Sequence, residues 1–195
     1  MTRLLFRNIK HAAVVGAATF FSAILIIFGS GIFFNKVTSL FLYFIFLIAI
    51  ILVGIIFDII GVAAAAATEP PLCARAAKKQ AGALQAINLV RNADRVASFS
   101  NDVIGDIAGT VSGAIGASII FRLVLLEPGL NTFVYGAVMT GAVAALTVSG
   151  KAFGKSYAIN EANEIIFFVG KLIYIVEKKF GFKLTGKINR REKRR

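Results

Sequence analysis

The chain has 195 residues, 57% of them hydrophobic and only 16% charged, with a mean hydropathy of +0.79 and a formal net charge of +12. Soluble domains are usually about 45–50% apolar and about 25% charged, so this composition excludes disorder and argues against a soluble enzyme. One cysteine and one histidine exclude an internal disulfide and a His- or Cys-rich metal cluster.

The N-terminal segment is predicted to contain the first membrane span. A basic end precedes an uncharged run over residues 12–34, which is long enough to cross about 30 Å of hydrocarbon. A signal peptide also starts with a basic end, but its apolar part is usually only about 7–15 residues long. We therefore interpret residues 1–36 as a tail and a retained first transmembrane helix, with a cleaved signal as the alternative.

Residues 37–160 are predicted to form a core with three further spans. The expected spans cover about 39–67, 98–126 and 131–149. Asp58 interrupts the first of these, which Glu69-Pro70-Pro71 is predicted to end, because a residue before proline avoids the helical conformation. Lys151 follows the last span.

Two segments near the spans have a different character. Residues 68–97 carry five basic residues, and breaks at Gly82 and at 92–94 predict a short helical hairpin at the cytoplasmic surface. Residues 161–195 are predicted to form an amphipathic helix over 162–180, lying at the membrane interface, and a basic tail. The tail from 183 onwards has seven basic residues and one acid, and we expect it to contact anionic lipid.

The distribution of positive charge predicts the orientation. With the N-terminus inside, 20 of the 22 Lys and Arg residues lie in cytoplasmic segments, and only Lys36 and Arg122 lie on the outer half. Lys and Arg collect in cytoplasmic loops of membrane proteins. The predicted fold is therefore an all-α, multi-pass cell-membrane protein with four transmembrane helices and both termini cytoplasmic; no nucleic-acid partner is expected.

Charged residues within spans are costly and are therefore candidate functional residues. The topology places four of them at a similar depth in the cytoplasmic half: Asp58, Asp102, Asp106 and Lys151. Ser98, Ser100 and Asn101 add neutral oxygen atoms nearby. Oxygen ligands suit a hard cation such as Mg²⁺, which needs only one or two carboxylates.

Three glycines in the third span are candidates for helix packing. Gly105, Gly109 and Gly113 are spaced by four, and such small residues let helix backbones approach closely. At about 100° per residue, Asp102 and Asp106 fall near Gly109 and Gly113, so the acids are expected on the packing side rather than facing lipid.

The charged residues allow three interpretations. They bind a cation, or they neutralise one another and lock the helices together, or Asp102 lies at the surface and the alignment is a coincidence. No nucleophile–base pair is visible, so an enzyme is not expected.

The segment from about Phe57 to Glu164 resembles the transmembrane domain of the cyclin M/CorC–CorB magnesium transporter family. The family patterns F-S-x-x-E-T, N-P-[DE]-R, G-N-x-x-V-N and G-E-x-x-P-K have counterparts here at 57–61, 92–95, 100–106 and 150–155, with Asn160 following. The order of spans, hairpin and juxtamembrane helix is also similar.

The resemblance implies a Mg²⁺ site and a homodimer. The family binds dehydrated Mg²⁺ with a serine of its first core helix, asparagines of the second and a glutamate of the third. The matching positions here hold Asp58, Asn101 and Lys151, and the resemblance comes without the family's CBS domains. The expected metal ligands are Asp58, Asn101, Asp102 and Asp106. Because a charged lysine cannot bind Mg²⁺, the alternative is a non-transporting membrane scaffold or regulator in which Lys151 replaces the ion.

Overall fold

The computed structural model describes residues 39–181 and eight separate positions before them, at 13, 16, 17, 20, 21, 24, 25 and 28. Between 39 and 181 the chain is helical throughout, with short connections and no strand. Most of the predicted first span and the whole basic tail beyond 181 lie outside these residues.

Six helices make up the described part of the chain. They are α1 (Leu40–Ala66), α2 (Glu69–Ala77), α3 (Ala83–Arg91), α4 (Ala93–Leu126), α5 (Thr132–Asn160) and α6 (Ala162–Phe180). Three of them, α1, α4 and α5, are long and apolar enough to cross a membrane, with mean hydropathies of 3.2, 1.8 and 1.5 over their most apolar windows. The core predicted to hold three spans therefore has three helices of suitable length and composition.

The helix boundaries follow from local chemistry, with one correction. The prediction that Glu69-Pro70-Pro71 ends the first core helix is wrong, because α1 already ends at Ala66 and these residues open α2. Proline is tolerated in a first helical turn, where its missing N–H has no partner to lose. Gly82 enters α3 with φ of +89°, and Gly181 ends α6 with φ of +69°, a backbone region that glycine adopts without steric penalty.

The described residues divide into two compact units, the first formed by 39–57 and 101–152 and the second by 58–100 and 153–181. The core of the first unit is a seam of large apolar side chains from α1, α4 and α5. Its buried members are Tyr43, Leu47, Ile51, Ile107, Val111, Ile115, Ile119 and Val143. They recur every three or four residues, the spacing that places side chains on one face of a helix.

Glycines bring helices of the first unit close together. A β-carbon built on Gly54 would lie 2.9 Å from the Cβ of Ala108, and one on Gly150 would collide with Ile55. Real Cβ contacts are longer than this, and the Cβ of Ala108 cannot rotate away, so Gly54 accepts only glycine at the present helix separation, whereas the flexible Ile55 side chain can move to relieve the contact at Gly150. The close α1–α4 approach therefore depends on Gly54 facing Ala108.

The core of the second unit is built mainly from alanine. Its buried members are Ala63, Ala64, Ala67, Leu72, Ala86, Ile87, Ala158, Ala162 and Ile166. A β-carbon on Gly170 of α6 would lie 2.5 Å from the carbonyl oxygen of Gly82 and 2.7 Å from the amide nitrogen of Ala86. Helices α3 and α6 thus meet backbone to backbone.

Polar side chains link the helices of the second unit around that core. The guanidinium of Arg75 forms an ion pair with Glu164 and lies 4.3 Å from the centre of the Phe167 ring. On the α2–α3 side, Arg91 donates two hydrogen bonds to one carboxylate oxygen of Glu69, at 3.1 and 2.9 Å. The helices are therefore held by both small-residue packing and charge pairing.

Candidate ion site and charged residues

The residues predicted to bind an ion are concentrated on a π-helix within α4. The segment Ser98–Gly105 has π-helical geometry, between an α-helical start at Ala93–Ala97 and a long α-helical part, Asp106–Leu126. A π-helix bonds each N–H five residues back instead of four, and such segments occur frequently at functional sites. The π-helix carries Ser98, Asn101 and Asp102.

Their burial differs along the segment. Ser100 is 4% exposed, Ser98 and Asn101 are half-buried, and Asp102 is exposed. The Oδ1 atom of Asn101 is buried and accepts no hydrogen bond from any residue that the structure describes. A buried amide oxygen without a partner is rare in native proteins and requires an explanation, such as a bound ion or water.

Asp58 and Lys151 lie in different units. Asp58, on α1 in the second unit, is 5% exposed. Lys151, on α5 in the first unit, is half-buried. Each of the two side chains takes part in an interaction within the protein.

The two remaining acids are accessible. Asp102 and Asp106 are both exposed. The predicted alignment of the two acids assumed 100° per residue, which holds only after Gly105, because a π-helix turns less per residue. The sequence argument for a common side therefore fails for Asp102.

The predicted glycine face divides in the structure. Gly105 is buried, and its carbonyl oxygen lies 4.0 Å from a β-carbon built on Gly54. At Gly109 and Gly113 no described atom of another part of the chain lies within 4 Å of such a β-carbon. Within one chain the packed position is thus Gly105 alone, and contact of Gly109 and Gly113 with a second copy stays a prediction.

The described residues contain no cluster of the acidic, histidine or cysteine ligands that usually hold a metal ion. Between residues 39 and 181 no three His, Cys, Asp or Glu side chains come together closely enough to hold a metal ion. Serine and asparagine oxygens are a different class of ligand.

Sequence reasoning missed one polar pair in the first unit. Arg122 donates a hydrogen bond of 2.9 Å to the hydroxyl of Tyr43, and its guanidinium lies 5.3 Å from the centre of the ring. Tyr43 is 6% exposed. The only signal in the sequence was an arginine inside an apolar helix, which normally requires a partner.

No protein-family model matches the chain, and no curated protein or solved structure matches it either. Between residues 39 and 181 the fold is all-helical, with three helices long and apolar enough to cross a membrane.

Proposed function

We propose that the protein is an integral membrane protein with four spans and cytoplasmic termini whose core binds, and transports, Mg²⁺ or another divalent cation. The three long apolar helices support the membrane location. The asymmetric distribution of Lys and Arg supports the orientation. The resemblance to the magnesium transporter core supports the choice of ion.

The observation that carries this proposal is the buried Oδ1 of Asn101 without a hydrogen-bond donor. An amide oxygen is a normal ligand for a hard cation. The atom lies on a π-helix, in a helix of spanning length, at the position that the resemblance assigns to an ion-binding asparagine. A cation would supply the partner that the oxygen otherwise lacks.

The carboxylate of Asp58 is buried and takes part in an interaction within the protein. Removing the partner of a buried charge typically costs about 3–5 kcal/mol. A substitution that removes the partner of Asp58 is therefore expected to destabilise the protein.

The alternative function is a non-transporting scaffold or regulator in which Lys151 takes the place of the ion. This alternative is favoured because Lys151 is half-buried and interacts with another group of the protein. A lysine near a helix end can also extend towards water and leave the acids without it. The role of Lys151 therefore separates the candidates.

The first experiment measures Mg²⁺ flux into liposomes containing the purified protein and a Mg²⁺-sensitive dye. We expect flux with the wild type, loss with Asn101→Leu, and no change with Asn160→Leu, which alters an exposed asparagine at the end of α5. Absence of flux in the wild type, or equal flux in both variants, would refute transport through Asn101.

The second experiment measures thermal unfolding in detergent with and without millimolar Mg²⁺. If the protein binds Mg²⁺, the wild-type melting temperature rises with the ion. If Lys151 replaces the ion, the wild type does not respond, Lys151→Met is destabilised, and Mg²⁺ restores part of the loss. Lys151→Glu should then create a response, whereas Lys155→Glu, at an exposed lysine, should not.

A further inference from the structure

Helix α6 has two apolar faces, only one of which is covered by protein. The covered face contains Ala162, Ile166 and Gly170, and Gly170 meets the backbone of α3. At about 100° per residue, Phe168 and Leu172 lie about 200° from Ile166 and Gly170, on the opposite side of the helix. The close backbone contact fixes which side of α6 is turned away from the second unit.

The outward face carries large exposed apolar side chains. Their exposed fractions are 61% for Phe168, 47% for Leu172, 50% for Ile175 and 43% for Val176. Ile165 and Val169, which the helical spacing places beside this face, are half-buried. A contiguous exposed apolar stripe of this kind marks an interaction surface.

The net accessible charge of α6 is positive. The two acids of α6 both interact with neighbouring helices. Glu164 pairs with Arg75, and Glu177 accepts a 2.7 Å hydrogen bond from Gln85. The lysines of α6 are exposed, and they are Lys171, Lys178 and Lys179. The accessible charge of α6 is therefore positive, and the sequence continues into a tail with seven more basic residues.

We propose that the outward face of α6, consisting of Phe168, Leu172, Ile175 and Val176, is a docking surface for anionic phospholipid at the cytoplasmic face of the bilayer. The apolar stripe enters the interface, and the lysines bind lipid phosphates while their aliphatic stems lie along the apolar boundary. A second copy fits this surface poorly, because two such faces would bring lysines against lysines. The inference rests on the proposed membrane location but not on cation binding.

The absence of tryptophan from the chain makes a direct test available. The full-length protein is reconstituted in vesicles as Phe168→Trp, so that the single tryptophan lies on the outward face. The matched control is Phe167→Trp, one residue away, whose ring is half-buried beside Arg75. Quenching is measured with phosphatidylcholine or phosphatidylglycerol brominated near the glycerol end of the acyl chain, at equal mole fraction.

We expect strong quenching of Phe168→Trp and weak quenching of Phe167→Trp. Brominated phosphatidylglycerol should quench Phe168→Trp at least about twofold more than brominated phosphatidylcholine, since each lysine near an anionic surface contributes a several-fold preference. Replacing the three α6 lysines by glutamine should abolish that difference. Leu172→Trp provides a second reporter if Phe168→Trp does not fold.

Four results would overturn the proposal. Water-like emission without quenching would mean that the face is solvated, and blue-shifted emission without quenching would mean that protein covers it. Equal quenching by the two lipids would remove the preference for anionic headgroups. Release of the protein from membranes by alkaline extraction would refute the membrane location itself, whereas loss of Mg²⁺ flux would leave this inference unaffected.

Discussion

Replacing Gly170 by alanine tests the backbone contact between α3 and α6 with a single methyl group. The added β-carbon would lie 2.5 Å from the carbonyl oxygen of Gly82, 2.7 Å from the amide nitrogen of Ala86 and 2.9 Å from its Cβ. Two of these three atoms belong to the backbone, so a side-chain rotation cannot relieve the overlap. The helices have to separate, and the alanine-rich core beneath them loses contacts.

The magnitude follows from two opposing terms. Overpacking a close contact typically costs about 1–3 kcal/mol, while alanine is favoured over glycine within a helix by about 1 kcal/mol. Gly141→Ala is the matched control, because Gly141 also lies within a helix but has nothing within 4 Å of its β-carbon position. Both variants gain helix propensity, so the difference between them isolates the overlap, and we expect about 1–3 kcal/mol.

The assay is reversible unfolding in mixed micelles with increasing SDS, followed by circular dichroism. Gly170→Ala should unfold at a lower SDS fraction than Gly141→Ala. In a double-mutant cycle, Gly170→Ala should cost less in an Ala86→Gly background than in the wild type, because one of the three close contacts is then absent. Equal stability of Gly170→Ala and Gly141→Ala would refute the close approach of α3 and α6.

Three other predictions address packing, topology and the polar pair. Gly109→Leu should leave the stability of the monomer unchanged but weaken a homodimer, as measured by cross-linking. Gly54→Leu should instead disrupt the fold, because its β-carbon faces Ala108. A dimer that is unchanged by Gly109→Leu would mean that this side of α4 faces lipid. A cysteine at Glu127, in a chain without the native thiol, should react with an impermeant maleimide from outside intact cells, and protection there would contradict the orientation. Tyr43→Phe removes the acceptor for Arg122 and should lower the free energy of unfolding by roughly 0.5–1.5 kcal/mol, a range typical of polar pairs in membranes; no loss would show that the pair is not stabilising.

Sequence patterns predicted the helices well where one simple signal determines them. The last helix was predicted at 162–180 and is observed at Ala162–Phe180, because its amphipathic spacing is clear and Gly181 can adopt the positive φ that ends a helix. The prediction for α5 was less complete. Its apolar stretch ends near Lys151, but the helix continues to Asn160, since a helix does not need apolar residues once it leaves the predicted span.

The candidate site was predicted less well, because its geometry depends on features that a regular periodicity does not contain. The π-helix at Ser98–Gly105 changes the rotation of every residue after Ala97 relative to an ideal α-helix. After Gly105 each step of four residues turns about 40° past a full circle, so Gly109 and Gly113 rotate progressively away from the packed side of Gly105, and the structure leaves them open. The contact of Gly54 with Ala108 pairs residues far apart in the chain, and no local pattern indicates it.

The π-helix also determines where the length of this protein can change during evolution. A turn closed by i→i+5 bonds holds one residue more than a turn closed by i→i+4 bonds. Deleting one residue between Ser98 and Gly105 can therefore be absorbed by a return to α-helical bonding within that segment. The same deletion in the α-helical part that follows would rotate all later residues by about 100° and move them about 1.5 Å along the axis, which would misalign the buried seam. Single-residue deletions among relatives of this chain should accordingly concentrate in this segment of α4 rather than in Asp106–Leu126.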